Sequence, residues 1–78
     1  MISRMDLRET FATNLRRLRN AKGWSQDELA YEAKISRSYL SQIEKGVYHV
    51  SISVIGKLAH ALDAEPDEFL KRAKRGRN

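Results

Sequence analysis

The sequence predicts an all-α chain of five helices, on three observations. Apolar residues recur at three- and four-residue spacings, as in Phe11, Leu15 and Leu18 or Ile55, Ala59 and Leu62, the period of a helix with one buried face. Ser25, Ser36 and Ser51 each precede such a stretch, where a hydroxyl can accept from an orphan amide of the first turn. Gly23 and Gly46 stand just past two of the stretches, the position at which a helix commonly turns through left-handed backbone.

The first helix is expected from about Asp6 to Ala21, with Asp6 as N-cap, Glu9 at capping-box spacing and Phe11, Leu15 and Leu18 buried. In "SQDEL" the Ser25 hydroxyl can accept from the amide three residues on while Glu28 reaches back to the Ser25 amide, opening a short second helix. Ser36 caps a third, which runs to Lys45 before Gly46 stops it. "SISVIGKLAHAL" makes a fourth from Ser51 to Leu62, with Ile52, Ile55, Ala59 and Leu62 facing inward. Pro66 suits the first turn of a fifth, from Pro66 to about Lys74, whose apolar residues are Phe69 and Leu70. "VYHVSISV" also alternates like a strand, but its second half merges into the helical pattern and a lone strand would have no partner.

At 78 residues this is one small domain, near the lower end of the size at which a core holds unaided, and pairing is a common remedy at that size. The absence of cysteine excludes disulfides and thiolate metal sites. His49 and His60 lack the partners a metal would need. With no leader-like or membrane-spanning apolar run, the expected location is the cytoplasm, in association with the nucleoid. A net charge of +5 favours a polyanionic partner. That charge is uneven: residues 1–24 carry six Lys/Arg against two Asp/Glu, 25–50 three against four, 51–70 one against four, and 71–78 five against none. A simple basic coat on nucleic acid would not look like this.

The near-neutral middle holds the informative stretch, "SRSYLSQIEKG". At a helical period Leu40 and Ile43 fall on one face, and Arg37, Ser38, Ser41, Gln42 and Lys45 on the other. Such a helix fits the B-DNA major groove, where arginine grips guanine through two acceptors, glutamine pairs with adenine, and serine serves either. The plain alternative is a solvated helix face. It loses weight beside the surrounding residues, because "WSQDELAYEAKISRSYLSQIEKG" resembles the helix-turn-helix of the XRE family, the lambdoid phage repressors and Cro-type proteins. The matching elements are Ser25-Gln26, Glu28-Leu29-Ala30 and Ile43-Glu44-Lys45-Gly46, and the likeness continues through "SISVIGKLAHALDAEPDEF". About 60 of the 78 residues take part.

The resemblance implies a compact five-helix repressor-like DNA-binding domain over residues 1–74, the motif at about 25–45 on helices two and three, and a basic, unstructured tail at 75–78. It assigns base reading to Arg37, Ser38 and Gln42, with Ser36 and Ser41 beside them. Gln26 would contact a phosphate and brace the first base-reading side chain, and Lys45 would contact a second phosphate. Tyr39 and Tyr48 can either pack or hydrogen-bond a phosphate. Arg19 and Glu44 match a structural ion pair, which also has a physical motive: a carboxylate at the negative end of a helix needs a cation. Lys34 departs from the family, which often has glycine in the turn between the two helices. Trp24 is best read as a partly buried cap over the first helix.

The resemblance further implies pairing near the C-terminal helices, for which Val54, Leu58, Phe69 and Leu70 are the candidates. The expected function is a sequence-specific, double-stranded DNA-binding transcription regulator, a repressor or controller acting as a homodimer on a two-fold symmetric operator. Among stand-alone members, the controllers of restriction–modification systems are of about this length. No cofactor, metal or small-molecule effector is expected. The rival is an antitoxin or adaptor whose main partner is a protein, using Asp63, Glu65, Asp67 and Glu68. An enzyme is disfavoured, since no pair of catalytic groups occurs at a meaningful spacing.

Overall fold

Helix α1 (Leu7–Lys22) leads into α2 (Gln26–Ala33), α3 (Arg37–Glu44) and α4 (Ile52–Leu62), and a 3-10 turn spans Pro66–Leu70. These elements come from a computed structural model that describes residues 7–47 and 49–72. The expected cap Asp6, Tyr48, the far end of the fifth helix and the basic tail lie outside the described residues. Among those described there is no strand. The fold is all-helical, with four α-helices where five helices were expected. The fifth is only a 3-10 turn, Leu70 being followed by extended backbone at Lys71 (φ −69°, ψ 135°).

The serine caps form as the residue pattern dictates. Ser25 Oγ accepts from the Glu28 amide at 3.0 Å, and the Glu28 carboxylate accepts from the Ser25 amide at 2.8 Å. Ser36 and Ser51 accept from the Tyr39 and Val54 amides at 3.0 and 3.1 Å. The four α-helices also end alike. A residue with left-handed backbone, Gly23, Lys34, Gly46 or Asp63, is followed by an amide that bonds a carbonyl five residues back: Trp24 to Arg19, Ile35 to Ala30, Val47 to Gln42 and Ala64 to Ala59. This is the Schellman closure, which satisfies carbonyls the helix itself leaves open.

The core lies where α1 packs against α3, α4 and the 3-10 turn, and α2 closes it against α3 and α4. Leu15, Leu29, Leu40, Ile43, Leu58 and Phe69 are fully buried, and the Phe11 and Phe69 rings stack with centroids 4.8 Å apart. Leu18 and Trp24 are half-buried against this cluster, and Lys22 Nζ lies 5.1 Å from the centre of the Trp24 ring, close enough for a cation–π contact. One expectation for α4 fails. Ile52 is 83% exposed, while Ile55 is half-buried against the core and Leu58, Ala59 and Leu62 complete the inner face.

The chain's C-terminal segment is pinned by a residue that the apolar pattern passes over. Asn14 is buried, and its Nδ2 donates to the carbonyls of Phe69 and Lys71, both at 2.8 Å. Its Oδ1 accepts from Arg17 Nη2 at 3.1 Å. An amide that supplies two donors to two main-chain acceptors fixes where the segment leaves the core, since buried carbonyls left unpaired are costly.

Candidate nucleic-acid interface

The site is built on α3, and its geometry begins at the buried end of that helix. Glu44 is only 3% exposed and sits at the last residue of α3, where the helix dipole is unfavourable to an anion. Three donors answer its carboxylate and a fourth its main-chain carbonyl. Arg19 Nε approaches Oε2 at 2.7 Å and Arg19 Nη2 approaches Oε1 at 3.0 Å, the two-pronged geometry that only a guanidinium offers. Gln26 Nε2 donates to Oε1 at 3.0 Å, and Arg16 Nη1 donates to the Glu44 carbonyl. Arg19 also donates to the Trp24 carbonyl at 2.8 Å, so one side chain joins α1, the α1–α2 loop and α3. Its hydrogen bond to Glu44 holds the guanidinium above its ordinary pKa against the opposing effect of burial.

The opposite side of α3 is held clear of the core. Arg37 and Ser38 are exposed, Ser41 and Gln42 half-buried, and Lys45 is exposed at the helix end. Ser36 spends its hydroxyl on capping the helix. Tyr39 packs half-buried against the core cluster. Arg37 Nε lies 3.7 Å from Asp27 Oδ1, an exposed ion pair between the first turns of α3 and α2. The structure thus brings Arg37, Ser38, Ser41, Gln42 and Lys45 to one side of the molecule, with Gln26 at the neighbouring helix start turned toward Glu44.

The four residues singled out for pairing separate by burial. Leu58 and Phe69 are fully buried in the chain's own core, Val54 is half-buried and Leu70 is 46% exposed. Leu58 and Phe69 are therefore spent on the chain's own core, Phe69 lying at the floor of a surface hollow. Ile52, Ile55, Gly56, Pro66, Asp67, Phe69 and Leu70 line an apolar hollow beside the exposed Ile52.

Sequence reasoning missed Asn14, Arg16 and Asp27. Asn14 had a signal, since it stands three residues after Phe11 on the buried stripe of α1, where an apolar residue belongs and a polar one needs partners. Arg16 and Asp27 had none, because their partners are a main-chain carbonyl 28 residues away and a side chain across a turn. Among the described residues no helix is long and apolar enough to cross a membrane, and no group of three His, Asp or Glu side chains is placed to hold a metal ion.

Comparison with known proteins supplies the context. Residues 15–69 match the family described as helix-turn-helix. The chain is 36% identical over 66 residues to control protein C.BamHI of Bacillus amyloliquefaciens, covering 83% of this chain and 82% of that one. It is 44% identical over 65 residues to a hypothetical transcription factor of Neisseria meningitidis, of whose length it spans 61%. Among solved structures, the restriction-modification controller protein C.AhdI from Aeromonas hydrophila superposes with a TM-score of 0.77 at 47% identity, covering 80% of this chain and 94% of that one. With the caps, the turn and the suspended third helix in place, the chain belongs to the XRE-type helix-turn-helix family of DNA-binding transcription regulators.

Proposed function

We propose that this protein is a sequence-specific regulator of transcription that binds a two-fold symmetric operator as a homodimer, of the kind that controls a restriction–modification system. The observation that carries the reading is the asymmetry of α3. Its inner side is anchored by Leu40, Ile43 and the Glu44 network, while Arg37, Ser38, Ser41 and Gln42 stand on a helix so fixed that its outer face can meet a rigid groove. Preorganisation of this kind favours specific binding, because less freedom is lost on contact. The controller assignment is supported by the likeness to C.AhdI and C.BamHI over most of their lengths.

In the proposed complex Arg37 grips a guanine edge, Gln42, Ser38 and Ser41 read neighbouring bases with Ser36 beside them, and Lys45, Tyr39 and Tyr48 meet phosphates, as does Gln26 through the N–H it does not give to Glu44. Pairing uses Ile52 and Leu70, with Val54 at the margin, in place of the buried Leu58 and Phe69. An isoleucine 83% exposed on a chain this small gains from burial in a second copy. Two recognition helices related by a two-fold axis then meet half-sites about 34–36 Å apart. Residues 1–74 form the binding domain, and the basic residues at 75–78 add sequence-independent, salt-sensitive affinity.

Selection of binding sites from randomised duplex DNA tests this. The enriched sequences should be two-fold symmetric with a guanine in each half. Arg37→Ala should cost on the order of 1–3 kcal/mol at that base, and Lys45→Ala should weaken all sequences alike and flatten the salt dependence. A folded protein that enriches no sequence would overturn the reading and favour a role through protein partners.

A further inference from the structure

Within the family likeness, the side chain expected to steady the first base-reading residue is Gln26. Here Gln26 has turned inward, its Nε2 bonded to Glu44 Oε1 at 3.0 Å. The neighbour of Arg37 is instead Asp27, whose Oδ1 lies 3.7 Å from Arg37 Nε. We infer that Asp27 is a positioning residue for base recognition, taking the Nε side of the Arg37 guanidinium so that its terminal fork is presented to a guanine edge. This rests on the DNA-reading role proposed above for Arg37.

Three features of the site argue for it. Both residues spring from fixed points: Asp27 from the first turn of α2, locked by the Ser25–Glu28 capping box, and Arg37 from the first residue of α3, whose start is set by Ser36. The backbone thus sets a carboxylate and an arginine within reach of each other, while the exposed side chains stay free to part. The pair also has little to do for the fold, since the two side chains are 59% and 79% exposed, and exposed pairs contribute little to stability.

The third feature is the cost of the acid. An uncompensated carboxylate beside a DNA-facing helix repels phosphate. Arg37 is the cation the structure places beside Asp27. An Arg37 that swings out to a phosphate leaves Asp27 bare beside the polyanion. The acid therefore penalises the sequence-independent use of Arg37 more than the base-specific use, which sharpens discrimination without adding a contact to DNA. The carboxylate lies on the Nε side, 3.7 Å away, which leaves the two terminal nitrogens of the guanidinium for the two acceptors of guanine.

A simpler role for Asp27 is to complement the positive end of the α2 dipole, and the test separates the two. Base preference at each operator position is measured by competition binding for the wild type, Asp27→Asn, Asp27→Ser and the same changes in an Arg37→Ala background, with thermal melting to establish folding. A bidentate arginine contact discriminates by roughly 5- to 150-fold. Asp27→Asn and Asp27→Ser should lower discrimination at the one base read by Arg37 by roughly three- to tenfold, while affinity for random duplex holds or rises. In the Arg37→Ala background the same changes should leave every base preference untouched. An unchanged preference profile in Asp27→Asn, or an equal change with and without Arg37, overturns the inference while the DNA-reading function stands. A wild type without sequence preference overturns both.

Discussion

The two ends of α3 both carry an arginine–carboxylate pair, and the pairs have almost nothing else in common. At the C-terminal end Glu44 is 3% and Arg19 14% exposed, with Nε and Oε2 2.7 Å apart and a second prong at 3.0 Å. At the N-terminal end Arg37 and Asp27 are 59% and 79% exposed and stand 3.7 Å apart. Burial removes competing water, so the first pair must be complete or the helix end carries a stranded charge. Solvation lets the second pair open at little cost. A recognition helix needs both conditions, a rigid base and a free tip, and this chain sets them one helix length apart.

The sharpest way to break the comparison is at the rigid end. Arg19→Met leaves the Glu44 carboxylate buried at the negative end of α3 with Gln26 as its remaining hydrogen-bond donor, since Arg16 serves the main-chain carbonyl. Removing one member of a buried pair typically costs about 3–5 kcal/mol, whereas removing both costs less because no charge is stranded. Chemical unfolding should therefore rank Arg19→Met below the double variant Arg19→Met with Glu44→Gln in stability. Losses that simply add would show that Glu44 finds enough water to stand alone, and the two ends of α3 would then be alike.

How much of this was legible in the sequence follows from how far each signal reaches along the chain. The caps at Ser25, Ser36 and Ser51 are spelled within four residues, and all three formed. The Gly23 and Gly46 stops are equally local. The ends of α2 and α4 fall instead on Lys34 and Asp63, at φ 61° and 55°, where residue type gives weaker notice of left-handed backbone. Helical periodicity supplied the core stripe of α1 but misjudged Ile52, because a period says which residues share a face and not how far the neighbouring elements extend to cover it. The fifth helix also shortened, to a 3-10 turn. The backbone turns extended at Lys71, where Asn14, far off in sequence, holds the Phe69 and Lys71 carbonyls. The Arg19–Glu44 pair was anticipated from family likeness and from the dipole argument together. The bond from Gln26 to Glu44 and the position of Asp27 beside Arg37 depend on contacts across 18 residues and across a turn, which no local pattern encodes.

A smaller effect sharpens the comparison from the turn that leads into α3. Lys34 closes α2 in left-handed backbone, φ 61° and ψ 43°, a conformation that costs a side-chain-bearing residue roughly 1–2 kcal/mol relative to glycine. Glycine also frees the unfolded chain, so Lys34→Gly should gain about 1 kcal/mol or less, read as a melting temperature higher by a few degrees. Asp63 adopts the same backbone at the end of α4, but a short polar side chain tolerates it better, so Asp63→Gly should gain less. If neither change raises the melting temperature, the turn is not strained, and α3 is as relaxed at its entrance as at its tip.

The smallest effect belongs to the free tip, and its smallness is the point. Arg37→Ala and Asp27→Asn should each shift stability by no more than about 0.5 kcal/mol, the scale of exposed surface substitutions, and the shift should shrink with added salt. Thermal melts at low and high ionic strength decide it. A loss as large as that of Arg19→Met would mean that the outer pair holds α3 in place, and an arginine committed to holding its own helix is poorly free to read DNA. Near-neutral variants would instead confirm that the fold spends nothing on this pair, leaving Arg37 and Asp27 available for recognition while Glu44 and Arg19 keep the helix beneath them still.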